Sequence, residues 1–469
     1  MASPPPAAGH VAVAAFPFGT HAGPLLSVVR RLAAASPGTR FSFFNTSQSN
    51  KTIFNKDATT QFPNIKAYDV WDGVPEGYAF TGKPQERIEL FMTAALESLR
   101  FNIETAVAET GTKVSCLLTD AFFWFGGEIA QDMGVPSWIQ FWTAGPCSLS
   151  AHFYTDLIRQ QIAVEPKGRP LSFIPGMAKI LVQDLPEGVL FGNLESVFSH
   201  MLHQMGQMLP RATAVFINSF EELDTNITND LKSKFKKFLN VGPLNLASPP
   251  PPLTPDESGC LRWLEKQKVA ASVAYISFGS VMVPPKEELE AIAAALEGSG
   301  VPFIWSLRDH MNLPNGFLEK TRKNGMVVPW APQNAVLAHN AVGVFVTHCG
   351  WNSVIESIVG GVPMICRPFF GDQRLNGRMV QDVWEIGVRV DGGAFPKEGL
   401  ENCLDLVLRQ ERGKRMRDKI NSLKELANEA VGPRGSFSDN FKLLLDVVTR
   451  PGGVQEGCQA LVPLNRPTF

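Results

Sequence analysis

One stretch of the chain, residues 330–373, holds many of the side chains that could bind a small polar ligand. It reads WAPQNAVLAHNAVGVFVTHCGWNSVIESIVGGVPMICRPFFGDQ. The indole of Trp330 can stack on a flat base, and a carboxylate such as Glu356 can accept hydrogen bonds from both hydroxyls of a ribose. The closing Asp372 and Gln373 offer acceptors and donors to sugar hydroxyls. These residue types suit a nucleotide diphosphate joined to a sugar.

The run from His348 to Ser353 predicts where the diphosphate lies. It follows a strand-like segment, AVGVFV, and precedes an apolar-periodic segment, so it should form the turn that opens a helix. Free backbone N–H groups at that helix start, with His348 and the Ser353 hydroxyl nearby, make an anion site. The chain contains no D-x-D triplet, a common means of fastening a divalent ion to a nucleotide diphosphate. We expect no metal.

A second pair of candidate residues lies in the first half of the chain. His21 follows the first predicted strand, in FPFGTHAGP, and Asp120 ends the predicted strand VSCLLTD. Because the carboxyl ends of parallel strands share one edge of a sheet, the two side chains should lie there together. An imidazole can remove a phenolic or enolic proton near neutral pH, and a carboxylate on its Nδ1–H would fix the tautomer. The competing interpretation is that each residue caps a helix start.

Short apolar runs alternate with helical patterns along most of the chain, which is typical of parallel α/β units. The predicted strands are 11–16, 41–44, 114–119, 137–141 and 214–218, then 273–278, 303–307, 326–330, 342–347 and 363–366. Helical patterns lie near 22–35, 86–108, 123–133 and 194–209. The prediction is an α/β protein with two Rossmann-like, doubly wound parallel sheets.

A proline-rich break, NLASPPPPLTPDES at 245–258, separates the two halves. Four consecutive prolines cannot join a helix or an inner strand, so this segment is predicted to be an extended interdomain linker. The domains are then 1–244 and 259–450, and the Gly- and Pro-rich residues 451–469 form a loose tail. Two such sheets would face each other across a deep cleft at the carboxyl ends of their strands.

Composition narrows the class of protein. A chain of 469 residues is too long for one core, and its formal net charge of −2 gives no electrostatic case for nucleic acid or an anionic membrane. The 7 cysteines show no C-x-x-C spacing, which favours reduced thiols over a disulfide frame or a zinc site. Neither a signal peptide nor a membrane span is indicated, so the expected location is cytoplasmic.

From first residue to last, the 330–373 stretch resembles the signature of plant secondary-product glycosyltransferases. The chain up to about Arg450 is similar to family-1 UDP-sugar glycosyltransferases of the two-domain GT-B type. The phrases INSFEELD (217–224), YISFGS (275–280) and RPFFGDQRLNGRMV (367–380) resemble those of flavonoid and anthocyanidin 3-O-glucosyltransferases. The resemblance implies inverting transfer of glucose from UDP-glucose to the 3-hydroxyl of a flavonol or anthocyanidin, giving a β-glucoside. UDP-glucose is then a co-substrate, and no cofactor is expected.

The resemblance also implies a role for each matching residue. His21 is the base and Asp120 its partner. The residues expected at the UDP-sugar are Thr143, Ser280, Trp330, Ala331, Gln333, His348, Trp351, Asn352, Ser353, Glu356, Asp372 and Gln373. Those expected at the acceptor, a small aromatic molecule, are Gln85, Phe122, His152, Phe198 and Phe370. A Gln at position 373 favours glucose, because family members with His there lean to galactose.

Several alternatives remain open from the sequence. The same machinery could use UDP-galactose, or could act on another small phenolic or terpenoid acceptor. A sugar-nucleotide epimerase or hydrolase can share a GT-B cleft, and a non-catalytic binding protein could keep the fold without a base. A serine hydrolase and a P-loop kinase are disfavoured, because the chain contains neither a G-x-S-x-G nor a G-x-x-x-x-G-K-[ST] motif. The oligomeric state is not predicted.

Overall fold

Two parallel β-sheets organise the chain. The computed structural model describes residues 9–54, 62–83, 85–162, 168–247, 255–309, 313–390 and 394–450. The strands of the first sheet are β1 His10–Ala14, β2 Arg40–Thr46, β3 Ile65–Val70, β4 Cys116–Asp120, β5 Trp138–Trp142, β6 Ala214–Ile217 and β7 Phe238–Asn240. Those of the second are β8 Val273–Ser277, β9 Phe303–Ser306, β10 Gly325–Val328, β11 Val342–Thr347, β12 Met364–Cys366 and β13 Gly387–Arg389.

Strand order confirms the predicted fold class. The first sheet runs β3-β2-β1-β4-β5-β6-β7 and the second β10-β9-β8-β11-β12-β13, with parallel pairing throughout. Strand order reverses between β1 and β4 in the first sheet and between β8 and β11 in the second. In open α/β sheets, ligands bind outside the carboxyl ends of the strands at such switch points. His21, Asp120 and His348 all follow or end strands at these two points.

Helices cover both faces of the sheets. Those of the first half are α1 Ala22–Ala35, α2 Ser47–Ile53, α3 Glu86–Thr110, α4 Gly126–Asp132, α5 Pro146–Phe153, α6 Thr155–Gln161, α7 Val197–Met208 and α8 Thr225–Lys234. Those of the second half are α9 Cys260–Leu264, α10 Lys286–Ser299, α11 Phe317–Thr321, α12 Gln333–Leu337, α13 Trp351–Gly360, α14 Gln373–Arg378, α15 Lys397–Arg409, α16 Glu411–Ala430 and α17 Ser436–Thr449.

The inner strands form because their sequences are apolar on both faces. Every residue of β1, β4, β8 and β11 is buried, as expected for parallel strands covered by helices on either side. The sequence did not indicate β3, β7 or β13. In β3 the exposed positions carry Lys66 and Asp69, and β7 and β13 have only 3 residues each. All three lie at or near sheet edges, where a short or polar strand suffices.

The last helix returns to the first sheet. Helix α17 packs against β4, β6 and β7, and its Phe437, Leu444 and Val448 belong to the same apolar core as α1. The predicted division into domains stays a prediction. Residues 248–254 of the predicted linker and the predicted tail, 451–469, lie outside the described residues. The start of the linker is fastened to α1, because the buried Arg31 donates to the carbonyl oxygens of Leu244 and Ala247 at 2.8 and 2.9 Å.

Two further features bear on the sequence expectations. No helix in the described part of the chain is both long and apolar enough to cross a membrane. The described cysteines, at 116, 147, 260, 349, 366 and 403, form no disulfide, while Cys458 lies outside the described residues. The cytoplasmic location stays a prediction.

Candidate active site

A single cleft of about 690 Å³ lies between the carboxyl edges of the two sheets. It is lined by both halves of the chain, from Gly19 at the end of the first sheet to Gln373 in the second half. All of the residues expected at the UDP-sugar line it: Thr143, Ser280, Trp330, Ala331, Gln333, His348, Trp351, Asn352, Ser353, Glu356, Asp372 and Gln373. His21 and Phe370 line it as well.

His21 and Asp120 meet as the strand arrangement predicts. His21 Nδ1 lies 2.8 Å from Asp120 Oδ2, and the Asp120 side chain is fully buried behind the imidazole, which is 19% exposed. The other Asp120 oxygen accepts the backbone N–H of Phe122 at 3.0 Å, so the carboxylate is fixed. With Nδ1 bonded to Asp120, Nε2 is the nitrogen left to take up a proton. The capping interpretation of His21 is wrong, because its side chain makes no cap hydrogen bond to α1.

An aromatic wall surrounds this pair. The His21 ring lies 5.0 Å from that of Phe16 and 4.7 Å from that of Phe122, measured between ring centroids. Phe18 and Phe91 extend the same cluster, with edge-to-face contacts at 5.3 to 6.0 Å. A flat aromatic acceptor would meet apolar ring faces beside the imidazole.

The turn that opens α13 has the shape expected of an anion site. Its backbone N–H groups start at Gly350, the residue that caps the helix. Two glycines make room for the His348 ring: a Cβ would lie 2.8 Å from the ring at Gly279 and 2.5 Å from it at Gly350. Cys349, which lies between His348 and Gly350, has a φ of 62°, which a non-glycine residue rarely adopts. Such strain persists where the surroundings hold it.

The charge of His348 depends on its burial. Burial lowers the pKa of its imidazole to about 4, so the ring is neutral at pH 7. A neutral ring contributes a hydrogen bond rather than a charge, and the role of His348 at a diphosphate stays a prediction. His348 offers a neutral hydrogen-bond donor, and the positive end of the site is the start of α13.

The residues expected at the ribose are hydrogen-bonded to one another. Gln333 Nε2 donates to Glu356 Oε2 at 2.6 Å and to Ser353 Oγ at 3.0 Å, while Gln333 Oε1 accepts from the Tyr275 hydroxyl at 3.1 Å. Burial raises the pKa of Glu356 to about 7. Beside this network, Trp330 is 55% exposed, which leaves a ring face for a base.

The residues expected at the sugar, Asp372 and Gln373, are also held in place by hydrogen bonds. Gln373 Oε1 accepts the backbone N–H groups of Phe369 and Phe370 at 2.8 and 3.2 Å. Because two donors require the oxygen there, the amide NH₂ is the end left to meet a sugar hydroxyl. Burial raises the pKa of Asp372 to about 6, and Asn376 donates to its Oδ2 at 2.8 Å.

Trp351 lines the cleft in a more restricted way than expected. Its indole N–H donates to the carbonyl oxygen of Asn218 at 2.8 Å, so this donor is not free for a sugar. A Cβ at Gly145 would lie 2.6 Å from the indole ring, which shows how closely the first half packs on it. Trp351 therefore ties the two halves together beside the cleft.

Most residues expected at the acceptor do not line this cleft. Phe122 lies against His21, but Gln85 is an exposed residue at the start of α3. Phe198, on α7, is half-buried against the large apolar core. His152 is buried on α5, 5.5 Å from the Trp142 ring, and burial lowers the pKa of its imidazole to about 4.

Sequence reasoning missed several side chains that position the site. Arg367 forms a buried bidentate ion pair with Glu288 and stacks 3.7 Å over the Phe369 ring, which holds the loop that bonds Gln373. Asn376 lies four residues after Asp372 on a helix, a spacing at which side chains meet. That spacing is a sequence signal from which Asn376 could have been predicted. Arg367 and Glu288 are 79 positions apart, and no sequence pattern indicates their pairing.

Among the described residues, no group of three or more His, Cys, Asp or Glu side chains is placed to hold a metal ion. The charged or titratable residues that line the cleft include Glu356, Asp372 and the exposed Arg308, which follows β9.

Comparison with known proteins gives the class. Residues 112–426 match the family described as UDP-glucoronosyl and UDP-glucosyl transferase. The chain is 62% identical to the anthocyanidin 3-O-glucosyltransferase of Vitis vinifera over 95% of its length and 98% of the relative's. A flavonol 3-O-glucosyltransferase of Arabidopsis thaliana is 60% identical, over 95% of this chain and 98% of the relative. An anthocyanidin 3-O-galactosyltransferase of Actinidia chinensis is 54% identical, over 94% and 97%. The chain belongs to this family of UDP-sugar transferases.

A solved structure shows the same fold. The crystal structure of a UDP-glucose:anthocyanidin 3-O-glucosyltransferase in complex with UDP superimposes with a TM-score of 0.87 at 44% identity. The match covers 94% of this chain and 99% of that one. The fold is thus the GT-B arrangement, with two Rossmann-like parallel sheets on either side of a cleft.

Proposed function

We propose that this protein transfers glucose from UDP-glucose to the 3-hydroxyl of a flavonol or anthocyanidin, with inversion to a β-glucoside. One observation carries the proposal: His21, hydrogen-bonded to the buried Asp120, and the polar residues suited to a UDP-sugar lie in one cleft between the two sheets. Relatives named as anthocyanidin and flavonol 3-O-glucosyltransferases support the acceptor class.

The reaction needs a base on one side of the sugar and an anion site on the other. His21 Nε2 takes the proton of the acceptor 3-hydroxyl, and Asp120 stabilises the imidazolium that forms. The acceptor oxygen then bonds to the anomeric carbon as the bond from that carbon to the UDP oxygen breaks. Because attack comes from the face opposite UDP, the α-linked donor gives a β-linked product.

The departing diphosphate takes up the negative charge. Backbone N–H groups at the start of α13, the hydroxyl of Ser353 and the neutral imidazole of His348 are the donors that stabilise it. On this basis the transfer needs no metal ion. Trp330 stacks on uracil, the backbone of Ala331 holds its edge, and Glu356 accepts from the ribose hydroxyls.

We assign glucose as the preferred sugar because position 373 is Gln, whereas family members with His there lean to galactose. The amide NH₂ of Gln373 is the end left to donate, and Asp372 accepts beside it. UDP-galactose is the second candidate donor, since the relative from Actinidia chinensis is named for galactose transfer. The two sugars differ only in the direction of the 4-hydroxyl.

On the acceptor side, the proposal places the reacting hydroxyl at His21, against Phe122. Gln85, His152 and Phe198 keep their predicted acceptor roles as hypotheses. Phe370, at the cleft, is 47% exposed and offers a ring face from the other half of the chain.

The test is incubation with UDP-glucose or UDP-galactose and a panel of flavonols, anthocyanidins, other phenols and a terpenoid alcohol. The expected product is a flavonoid 3-O-β-glucoside, with position and anomeric configuration read by NMR. An α-linked product would contradict the inverting mechanism. Release of free glucose or an epimerised UDP-sugar, without a glycoside, would contradict transfer itself.

A further inference from the structure

One buried amide bridges the phosphate turn and the sugar carboxylate. Asn376, on α14, donates from Nδ2 to the backbone carbonyl of Cys349 at 2.9 Å and to Asp372 Oδ2 at 2.8 Å. Its side chain is almost fully buried, with 1% of the residue exposed. Cys349 belongs to the turn that opens α13, and Asp372 is the carboxylate proposed for the sugar. A single side chain thus contacts both parts of the donor site.

The chemistry of the two partners fixes which end of the amide faces them. A carbonyl oxygen and a carboxylate both accept, so the NH₂ group must point to them, each taking one of its two protons. The same NH₂ cannot be replaced by a hydroxyl, which has one proton to donate. Asparagine at 376 is therefore suited to hold both groups at once.

The carbonyl that Asn376 holds belongs to a strained residue. Cys349 has a φ of 62°, and its own N–H is held on the other side by Thr347 Oγ1 at 3.2 Å. A left-handed conformation at a non-glycine residue costs about 1–3 kcal/mol and needs support from its surroundings. Asn376 supplies one of these supports, from the helix that follows the sugar-binding pair.

We propose that Asn376 is a positioning residue that couples the diphosphate turn to the sugar carboxylate Asp372. In this scheme Asn376 contacts neither the diphosphate nor the sugar. Instead it fixes the turn at Cys349 and holds the ionised carboxylate of Asp372 towards the sugar. The intact UDP-sugar therefore binds more tightly than UDP alone. This inference rests on the proposed function, since it assumes that a UDP-sugar occupies the cleft.

Protonation of Asp372 gives a second, independent readout. Burial raises its pKa to about 6, and the hydrogen bond from Asn376 opposes that rise. The other titratable groups that act on Asp372 are His21 across the cleft and the buried thiols of Cys147 and Cys349. None of these changes with position 376. Loss of the Asn376 donor should therefore raise the pKa of Asp372, so that sugar binding is lost at a higher pH as the solution is acidified.

The experiment compares Asn376→Leu and Asn376→Asp with a matched control, Asn440→Leu. Asn440 is also buried and also donates to one backbone carbonyl, of Asn240 at 3.0 Å, and one carboxylate, of Glu221 at 2.8 Å. It lies on α17, away from the cleft. Dissociation constants are measured for UDP-glucose from about pH 5 to pH 8.5 and for UDP at about pH 7.5, with thermal stability recorded for each variant.

We expect Asn376→Leu to weaken UDP-glucose binding about tenfold or more at pH 7.5, and UDP binding by less. In Asn376→Leu, the fall in UDP-glucose affinity that comes from protonation of Asp372 should occur at a higher pH than in wild type. In Asn376→Asp it should occur at a still higher pH, because a second carboxylate lies beside Asp372. The Asp variant has nearly the volume of Asn, so it serves if the Leu variant does not fold. Asn440→Leu should lower thermal stability while leaving both affinities and the pH dependence unchanged.

Two results would overturn the inference. One is an unchanged pH dependence in both variants at position 376, which would make Asn376 a purely structural residue. The other is an equal loss of UDP and UDP-glucose affinity, since the sugar carboxylate would then play no part. A wild-type protein that does not bind UDP-glucose would instead contradict the proposed function, and so is distinguishable from either result.

Discussion

The two sides of the cleft are built in opposite ways. On the donor side, polar side chains from one continuous stretch bond to each other before any ligand arrives, as Gln333 does with Glu356 and Ser353. On the acceptor side, aromatic rings from separate segments, among them Phe16, Phe91 and Phe122, pack around His21. Hydrogen bonds of fixed direction suit one unvarying nucleotide. Ring faces suit a family of flat molecules that share little beyond their shape.

This difference separates the roles of the two sides. A change on the donor side should alter which sugar is used and at which pH, while a change on the acceptor side should alter the rate and leave nucleotide binding alone. Five measurements test that separation, and the His21 substitution should have the largest effect.

His21→Ala should lower transfer by about 10²–10⁴-fold, the usual contribution of a general base. UDP binding should stay within about threefold of wild type, because the imidazole serves the acceptor hydroxyl. Turnover with a flavonol and the dissociation constant of UDP, measured on the same preparation, check both statements. Wild-type turnover in the variant would end the catalytic role of His21.

Asp120→Asn is the companion variant. It should lower turnover at least about tenfold, because an amide cannot stabilise the imidazolium as a carboxylate does. A strongly weakened affinity for UDP with normal turnover at saturation would instead place Asp120 on the donor side.

Gln373→His should narrow the preference of the enzyme for UDP-glucose over UDP-galactose. An unmet buried hydrogen bond costs about 1–3 kcal/mol, so we expect wild type to favour UDP-glucose by roughly ten- to a hundredfold in kcat/KM. Competition between both donors at equal concentration, followed by sugar analysis of the product, gives the ratio directly. Equal use of the donors by wild type would refute Gln373 as the selective contact.

Donor affinity should depend on pH through Glu356. Its pKa is raised to about 7 by burial, and the ionised form is the better acceptor for ribose hydroxyls. UDP-glucose affinity should therefore fall as pH decreases through about 7, at most about tenfold per pH unit for one proton. Calorimetric titrations across this range should show the fall near pH 7 in wild type but not in Glu356→Gln. That variant should keep only the fall in affinity at lower pH that comes from Asp372. The same titration in both proteins would exclude Glu356 from the ribose site.

Chelation should have the smallest effect. Transfer should proceed in EDTA within about twofold of the untreated rate, because the start of α13 and its neighbouring donors meet the diphosphate charge. Initial rates before and after exhaustive chelation check this. Loss of turnover that Mg²⁺ or Mn²⁺ restores would show that the donor side depends on a cation.

The same contrast explains what the sequence could predict. The donor side could be predicted because most of its residues follow one another between Trp330 and Gln373, and because strand ends in a parallel sheet share an edge. That edge rule also paired His21 with Asp120, 99 positions apart. It could not give the charge of His348, which depends on the burial of the ring by the glycines and strands around it.

The acceptor side was less readable for a physical reason. The chain has 32 phenylalanines, and the same ring that can face a ligand can equally fill a core. Phe122 lies beside His21, whereas Phe198 faces the core under α7, and nothing in their local sequences separates the two. The edge strand β3 was not predicted either, because Lys66 and Asp69 interrupt the apolar pattern that is typical of the inner strands.

The return of α17 to the first sheet affects how the chain is made. The face of that sheet formed by β4, β6 and β7 is covered by residues 436–449, which leave the ribosome after the whole second sheet. Domains usually fold in the order of synthesis, the first before the second. Here part of one apolar face of the first sheet stays uncovered until residues 436–449 have been made, after the whole second sheet. Assistance from chaperones during synthesis should therefore matter most for the half of the protein that is made first.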